Sequence, residues 1–187
     1  MTVRTRPATE ADYAVAGSIC YAAYSADGQL AGAGGYGRVL ADVAARAART
    51  EVIVADDPDT GEVLGCVTFV LAGRPWAEVA RDGEGEFRML AVAPGAQGRG
   101  VGSALVRACL ERALAEQCTA VSICTRDTND RAIGMYERFG FVRIPDRDWT
   151  PEPDIKLLAL RLALPQQASA VYSKAPGPTV GAQSKRP

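Results

Sequence analysis

Hydrophobic and polar residues alternate along the chain with two distinct periods. Short apolar segments bounded by turn residues predict seven strands, at 3–6, 51–55, 63–71, 84–92, 120–125, 141–144 and 155–162. Apolar residues at helical spacing predict four helices, at 9–23, 39–49, 129–139 and from 101 onward. Strands and helices in this order predict one α+β domain built on a mixed sheet.

Two segments fall outside this pattern. Residues 26–37 are dense in glycine, which predicts a flexible loop. Residues 165–187 contain four prolines and three basic residues but no acidic residue, which predicts a disordered tail. Without the three positive charges of the tail, the predicted domain at 1–164 has a net charge near −4, compared with −1 for the whole chain.

The chain contains no histidine among its 187 residues. This absence excludes Ser-His-Asp and Cys-His nucleophile pairs, and it excludes metal sites that use imidazole ligands. Proton transfer must therefore use a carboxylate, a tyrosine, a lysine, a cysteine, a chain terminus or water. The five cysteines contain no CxxC pair, so we expect reduced thiols and no metal site.

Charge balance and hydropathy limit the partners that the chain can have. With 21 basic and 22 acidic residues, it lacks the basic excess that a nucleic-acid-binding surface needs, so no nucleic acid is expected. No apolar run approaches the ~18 residues that span a bilayer, and the first residues lack the apolar stretch of a signal peptide. We therefore expect a cytoplasmic protein with no membrane partner.

The most informative motif is a glycine-rich turn between a strand and a helix. Residues 97–102 read Gln-Gly-Arg-Gly-Val-Gly. Glycines let the backbone approach a ligand closely, and the free N–H groups at the start of the following helix attract anions. The turn is typical of a pyrophosphate site, although a turn that serves only tight packing is the alternative. Neither the spacing of a Rossmann fingerprint nor a Gly-Lys-Ser/Thr phosphate loop is present.

The sequence resembles the GNAT superfamily of acetyl-CoA-dependent N-acetyltransferases. The glycine turn fits the family signature Q/R-x-x-G-x-G/A at every fixed position, and residues 89–94 resemble the family's fourth strand. A second motif follows in the same order as in the family, because residues 129–141 resemble its fourth helix and the turn into its sixth strand. The resemblance covers residues 3–162 and leaves out only the tail.

This resemblance implies both the fold and the co-substrate. It implies a central mixed sheet of six to seven strands, splayed between strands 4 and 5 and flanked by about four helices. Acetyl-CoA would enter the gap, with its pantetheine arm along strand 4 and its pyrophosphate on the glycine turn, and no metal is expected. The implied coenzyme-binding residues are Leu90, Ala91, Val92, Gln97, Gly98, Arg99, Gly100, Val101, Gly102, Ser103 and Asn129.

The resemblance also implies direct attack of an amine on the acetyl thioester, which needs a base and an acid. Tyr136 occupies the family's helix 4 tyrosine position and is the candidate acid, although its helical spacing also suits a core aromatic residue. Glu86 matches the family's strand 4 glutamate and is the candidate base.

Strand alternation gives a second interpretation of Glu86. It places the side chains at 86, 88, 90 and 92 on one face of the predicted strand, so Glu86 and Arg88 could both face the cleft or form an ion pair. Glu84, two residues earlier on the same face, and a chain of water molecules are the alternative bases. The main-chain N–H of Leu90 is the expected donor to the developing oxyanion.

The expected acceptor is an amine, and its identity depends on the loops. Candidate substrate-binding residues are Tyr24, Trp76, Glu84 and Trp149. An acidic domain with aromatic loop residues suits a small cationic amine. A closed pocket under the two tryptophans would favour a small molecule, whereas an open groove beside strand 4 would favour a protein lysine or N-terminus. A non-catalytic acyl-CoA-binding regulatory module is the third alternative, and the sequence leaves a homodimer open.

Overall fold

The computed structural model describes residues 2–30 and 35–165 and confirms an α+β fold with a mixed sheet. The strands are β1 (Arg4–Pro7), β2 (Glu51–Asp56), β3 (Val63–Leu71), β4 (Glu84–Val92), β5 (Ala120–Arg126), β6 (Val142–Arg143), β7 (Trp149–Glu152) and β8 (Ile155–Ala163). The helices are α1 (Glu10–Ala26), α2 (Tyr36–Ala41), α3 (Val43–Ala47), α4 (Val101–Ala115) and α5 (Asp130–Arg138).

Two elements differ from the expected ones. The sheet has eight strands rather than six to seven, because Trp149–Glu152 pairs with β8 as a short additional strand. The single helix predicted at 39–49 is wrong, since the backbone leaves the helical region at Asp42 (φ −84°, ψ 75°). The Asp42 carboxylate accepts the Ala45 N–H at 3.0 Å, so this residue caps a new helix instead of continuing the old one. The predicted tail beyond Pro165 and residues 31–34 of the predicted loop lie outside the described residues.

The sheet splits between its two central strands. Its order is β1-β2-β3-β4-β5-β8-β6, with β7 on β8, and the β4–β5 pair is parallel while the other pairs are antiparallel. The two central strands pair only where Glu84–Glu86 meets Ala120–Ser122. Beyond this short ladder β4 has no β5 partner, which confirms the expected splay between strands 4 and 5.

A β-bulge in β4 changes which side chains share a face. Between the pairs Thr68↔Arg88 and Cys66↔Ala91, β4 contains one residue more than β3, and Met89 has φ 52°. The extra residue reverses the alternation along the strand. Phe87 packs on the same side as the residues at 90 and 92, whereas Met89 and Ala91 pack on the opposite side. The expectation that 86, 88, 90 and 92 share one face is therefore wrong.

Helices cover both faces of the sheet and form a separate hydrophobic core on each. On one face, α4 and α5 bury apolar residues against β3, β4 and β5, with Leu105, Val106 and Cys109 fully enclosed. On the other face, α1 contributes Ala16 and Cys20 to a core shared with β2, β3 and β4. The split in the sheet lies between these two cores. Within the described part of the chain, no helix is both long and apolar enough to cross a membrane.

Candidate active site

A cavity of about 590 Å³ lies where β4 and β5 separate. Its lining residues come from β4, the end of β5, the glycine turn, α4 and α5 on one side of the sheet. On the other side they come from the end of α1, the start of α2, the β3–β4 loop and the β7–β8 hairpin. The cavity therefore passes through the gap in the sheet, with a glycine-turn end and an aromatic end.

The glycine-turn end exposes backbone donors. Gly98 and Gly100 have φ 76° and φ 83°, a backbone conformation that residues with a Cβ rarely adopt. The first backbone hydrogen bond of α4 runs from the Ala104 N–H to the Gly100 carbonyl at 2.9 Å. The N–H groups at 101–103 therefore have no intrahelical acceptor, and all three residues line the cavity. This arrangement of donors suits a phosphate or pyrophosphate group.

Two arginines on α5 add positive charge at this end. Arg131 and Arg138 line the cavity, and the Arg131 guanidinium donates a hydrogen bond to the Gln97 side chain. Neither arginine is among the residues predicted from the sequence, although their spacing of seven residues places them on one face of the predicted helix. Arg99, which was expected at the coenzyme, is exposed on the turn and is not among the residues that line the cavity.

The edge of β4 forms the central part of the site. Leu90, Ala91 and Val92 line the cavity, and beyond Glu86 this strand has no hydrogen-bonded partner on the β5 side. An unpaired strand edge can hold an extended ligand through main-chain hydrogen bonds. Asn129 lies across the gap as the N-cap of α5, where its Oδ1 accepts the Ala132 N–H at 3.1 Å. Its NH2 group is then the part available to a ligand.

Tyr136 belongs to the core and to the cavity wall at the same time. Its side chain is 6% exposed, and its ring packs against Phe87 and Phe141 with centroid distances of 5.7 Å and 5.8 Å. The residue also lines the cavity. Burial raises the pKa of its hydroxyl well above the ordinary value, so the phenol keeps its proton at neutral pH.

Glu86 is almost completely buried beneath the β3–β4 loop. One carboxylate oxygen, Oε2, accepts the N–H groups of three consecutive residues, Glu78, Val79 and Ala80, at 2.9, 2.9 and 3.0 Å. The other oxygen, Oε1, has no hydrogen-bond partner among the described residues and lies 3.6 Å from Arg88 Nε. Glu86 therefore fastens the loop to β4 with one oxygen and leaves the other unpartnered.

Arg88 makes a second attachment to the same loop. Its Nη1 donates to the Trp76 carbonyl oxygen at 2.6 Å, and its Nη2 lies 2.6 Å from Glu78 Oε1. Trp76 itself is not among the cavity-lining residues, and its side chain packs against the core on the α1 side. We refer to residues 76–80 as the clamped loop, because Glu86 and Arg88 both hold its backbone.

Glu84 lies away from the cavity in a buried ion-pair cluster. Its carboxylate is 2.5 Å from Arg147 Nη1 and 2.7 Å from Arg161 Nε, and it accepts the Ser122 hydroxyl at 2.8 Å. Burial alone would raise the pKa of Glu84, but the hydrogen bonds from the two arginines outweigh it and lower the pKa to about 2. Glu84, predicted as an alternative base and as a substrate-binding residue, therefore lies outside the cavity lining and pairs with Arg147 and Arg161 instead.

The aromatic end of the cavity is formed by three rings and several acidic groups. Tyr24 and Tyr36 pack edge to face with their centroids 6.2 Å apart. Trp149 of the β7–β8 hairpin is the third ring, so two of the sequence-predicted substrate-binding residues meet here. Acidic side chains at this end are Asp27, Glu78, Glu86 and Glu152.

Two further residues at this end were missed by the sequence analysis. Glu78 is 31% exposed at its side chain, and burial raises its pKa even though Arg88 opposes the shift. Cys124 is half-buried, and burial raises the pKa of its thiol to about 12. Such a thiol is not a nucleophile at neutral pH. No local sequence signal marks either residue, because the β3–β4 register and the β4–β5 split bring them to the cavity.

Comparison with known proteins identifies the family. The model of the acetyltransferase (GNAT) family matches residues 36–141. A mycothiol acetyltransferase of Saccharopolyspora erythraea is 36% identical over 73 residues, which are 39% of this chain and 24% of that protein. A mycothiol acetyltransferase of Streptomyces avermitilis is 39% identical over 72 residues, which are 38% of this chain and 23% of that protein. The chain thus matches about a quarter of the length of these two curated relatives.

Structural comparison gives the same fold. The ribosomal-protein-alanine N-acetyltransferase from Brucella melitensis superposes with a TM-score of 0.64 at 21% sequence identity, covering 86% of this chain and 99% of that one. At this identity the likeness concerns the fold alone. The family match, however, covers more than half of the chain and includes the glycine turn and all of α5. The chain therefore belongs to the GNAT family of acetyltransferases, which use acetyl-CoA.

Proposed function

We propose that this enzyme transfers the acetyl group of acetyl-CoA to the primary amine of a small molecule. The observation that carries the proposal is the aromatic end of the cavity, where Tyr24, Tyr36 and Trp149 surround the approach to β4. Aromatic walls around a few fixed polar groups are typical of small-molecule sites. The mycothiol acetyltransferases that the chain matches in part also favour a small-molecule acceptor over a protein.

The residues at the glycine-turn end fit the charge and shape of the coenzyme. The N–H groups at 98–103 and the guanidinium groups of Arg131 and Arg138 would hold its phosphates, and the unpaired edge of β4 with Asn129 would hold its pantetheine arm. Arg99 stays a candidate for additional phosphate contacts from its exposed position on the turn. Acetyl-CoA supplies the acetyl thioester, and every other group that the reaction needs belongs to the protein or the acceptor.

The residues present favour direct transfer to the amine. The N–C bond forms as the C–S bond breaks, and the ammonium of the acceptor loses two protons in all. One proton must reach the leaving thiolate, for which Tyr136 is the proposed donor, and the other is released to solvent through a carboxylate, with Glu86 the candidate from the sequence. Transfer through a cysteine is disfavoured, because the pKa of about 12 at Cys124 leaves almost no thiolate.

A mass-detected acetylation screen tests this proposal. The purified full chain is incubated with acetyl-CoA and a panel of polyamines, aminoglycosides, aryl amines, amino acids, lysine peptides and peptides with free N-termini. Reactions without protein control for spontaneous acetylation. We expect a product on a small amine. Products on peptides alone would replace the small-molecule acceptor with a protein acceptor. No product on any amine, with acetyl-CoA still bound, would contradict catalysis and favour a regulatory module.

A further inference from the structure

Two carboxylates and one guanidinium meet at the aromatic end of the cavity. Glu86 and Arg88 come from β4, and Glu78 comes from the clamped loop. We propose that Glu78 receives the proton of the acceptor ammonium, while Glu86 and Arg88 are positioning residues that hold Glu78 in place. This inference rests on the proposed function, since it names the base of that reaction.

The surroundings of Glu86 favour a structural role. Three N–H donors bind its Oε2, so this oxygen already carries its full share of hydrogen bonds. The residue is 1% exposed. Its other oxygen, Oε1, has no hydrogen-bond partner among the described residues, but it lies 3.6 Å from Arg88 Nε. A base must return its proton to solvent in every turnover, and Glu86 reaches solvent only through the cavity, whereas the Glu78 side chain is 31% exposed.

Glu78 has the features that Glu86 lacks. Its Oε1 pairs with Arg88 Nη2 at 2.6 Å, which fixes the side chain, and no described residue forms a hydrogen bond to its Oε2. The carboxylate lines the cavity, yet its side chain is 31% exposed. It can therefore take a proton from a bound amine on one side and release it to water on the other.

The charges around Glu78 suit this role. The ionisable groups that face it are Arg88 and Glu86 from β4, Tyr36 from α2 and Cys124 from β5. Burial raises the pKa of Glu78, the Arg88 charge lowers it, and the Glu86 charge raises it again. A carboxylate whose pKa is above the ordinary value accepts a proton more readily in its ionised form.

The proton balance of the step is complete. The acceptor R–NH3⁺ gives one proton to the Glu78 carboxylate, and the lone pair of the resulting R–NH2 forms the N–C bond as the C–S bond breaks. The leaving thiolate then gains a proton from the Tyr136 hydroxyl, and the second proton of the nitrogen restores that hydroxyl. The protonated Glu78 returns its proton to solvent, so one proton is released for each acetyl group transferred.

The pH dependence of kcat distinguishes the two carboxylates. We would measure kcat at saturating acetyl-CoA and amine for the wild type, Glu78→Gln and Glu86→Gln, using an amine that the screen has identified. Glu62→Gln is the matched control, since it makes the same change on the exposed β2–β3 turn. Thermal unfolding would confirm that each variant is folded. Glu78→Asp is a second variant that keeps the carboxylate but shortens its reach.

We expect Glu78→Gln to lower kcat by about 100-fold and to remove the decline of kcat at low pH. Glu86→Gln should keep that decline, because its amide oxygen can still accept the loop N–H groups, and Glu78→Asp should keep it with a reduced kcat. If Glu86→Gln loses the decline of kcat at low pH while Glu78→Gln keeps it, the proposal is overturned and Glu86 is the base. If both Glu78→Gln and Glu86→Gln keep the decline of kcat at low pH, the proposal is overturned and water is the base. Neither result would affect the proposed acetyl transfer, which only the absence of any product contradicts.

Discussion

Replacement of Glu84 by Gln is expected to destabilise the folded protein in a pH-dependent way. The carboxylate is buried between Arg147 and Arg161, and the substitution removes its charge while keeping its shape. Both guanidinium groups would then lose the anion that offsets their partial burial. Removing one partner from a buried ion pair typically costs several kcal/mol.

The pKa of Glu84 gives the magnitude. It falls from an ordinary value of 4.5 to about 2 in the folded protein. Because one pH unit corresponds to about 1.4 kcal/mol, ionised Glu84 contributes about 3 kcal/mol to the free energy of unfolding at pH 7. A lowered pKa means that this contribution is complete above pH 4.5 and is lost as the pH falls toward 2. At pH 3 about 1.5 kcal/mol of it should remain.

Urea unfolding followed by tryptophan fluorescence measures this contribution. The free energy of unfolding would be determined at pH 7, 5, 4 and 3 for the wild type, Glu84→Gln and the control Glu62→Gln. We expect the difference between wild type and Glu84→Gln to be constant from pH 7 to 5 and to narrow by about half at pH 3. A difference that is the same at all four pH values would refute the electrostatic reasoning. It would show that the lost stability comes from packing.

Three further predictions concern residues that line the cavity. Tyr136→Phe should lower kcat about 100-fold with little change in the Kd of acetyl-CoA, and an unchanged kcat would remove its role as acid. Gly100→Val should abolish acetyl-CoA binding in calorimetry, because a β-branched residue is strained at φ 83°. Normal affinity would contradict the role of the glycine turn in binding the pyrophosphate. Replacing both Arg131 and Arg138 by Gln should weaken acetyl-CoA binding about 10-fold at low salt and less at high salt. A loss of affinity that does not depend on salt would show that the two arginines do not act through their charge.

The elements with a strong local pattern of apolar residues were predicted from the sequence. The glycine turn, α4, α5 and the long strands have strong periodic patterns, and the family motifs placed the split between β4 and β5. The prediction of one helix at 39–49 was wrong because the apolar spacing continues past Asp42, whereas the Asp42 carboxylate caps a new helix. The short strand β7 was missed because Pro151 and its exposed neighbours give no strand signal.

The candidate site was predicted only as far as the family motifs extend. Tyr136, Asn129 and the glycine turn apart from Arg99 line the cavity, but Glu78 and Tyr36 were not foreseen. Glu78 reaches the cavity on a loop that is held by β4, and Tyr36 reaches it by packing against Tyr24 of α1, and local patterns encode neither contact. The roles of Glu86 and Glu84 depend on the hydrogen bonds that each carboxylate accepts. The donors to Glu86 come from the loop just before its strand, whereas Ser122 and Arg161, which donate to Glu84, are distant in the sequence.

The bulge at Met89 would allow a single strand to contact both proposed ligands on opposite faces of the sheet. Before the bulge, Arg88 points toward the clamped loop, beside the proposed acceptor site, and after it Leu90 faces the α4 side, where the coenzyme would lie. Deleting one residue from the bulge would restore simple alternation and move one of these sets to the wrong face. Insertions and deletions in the β3–β4 loop outside 76–80 leave the register of β4 intact. During divergence, acceptor choice can therefore change through loop length, while the length of β4 has to stay constant.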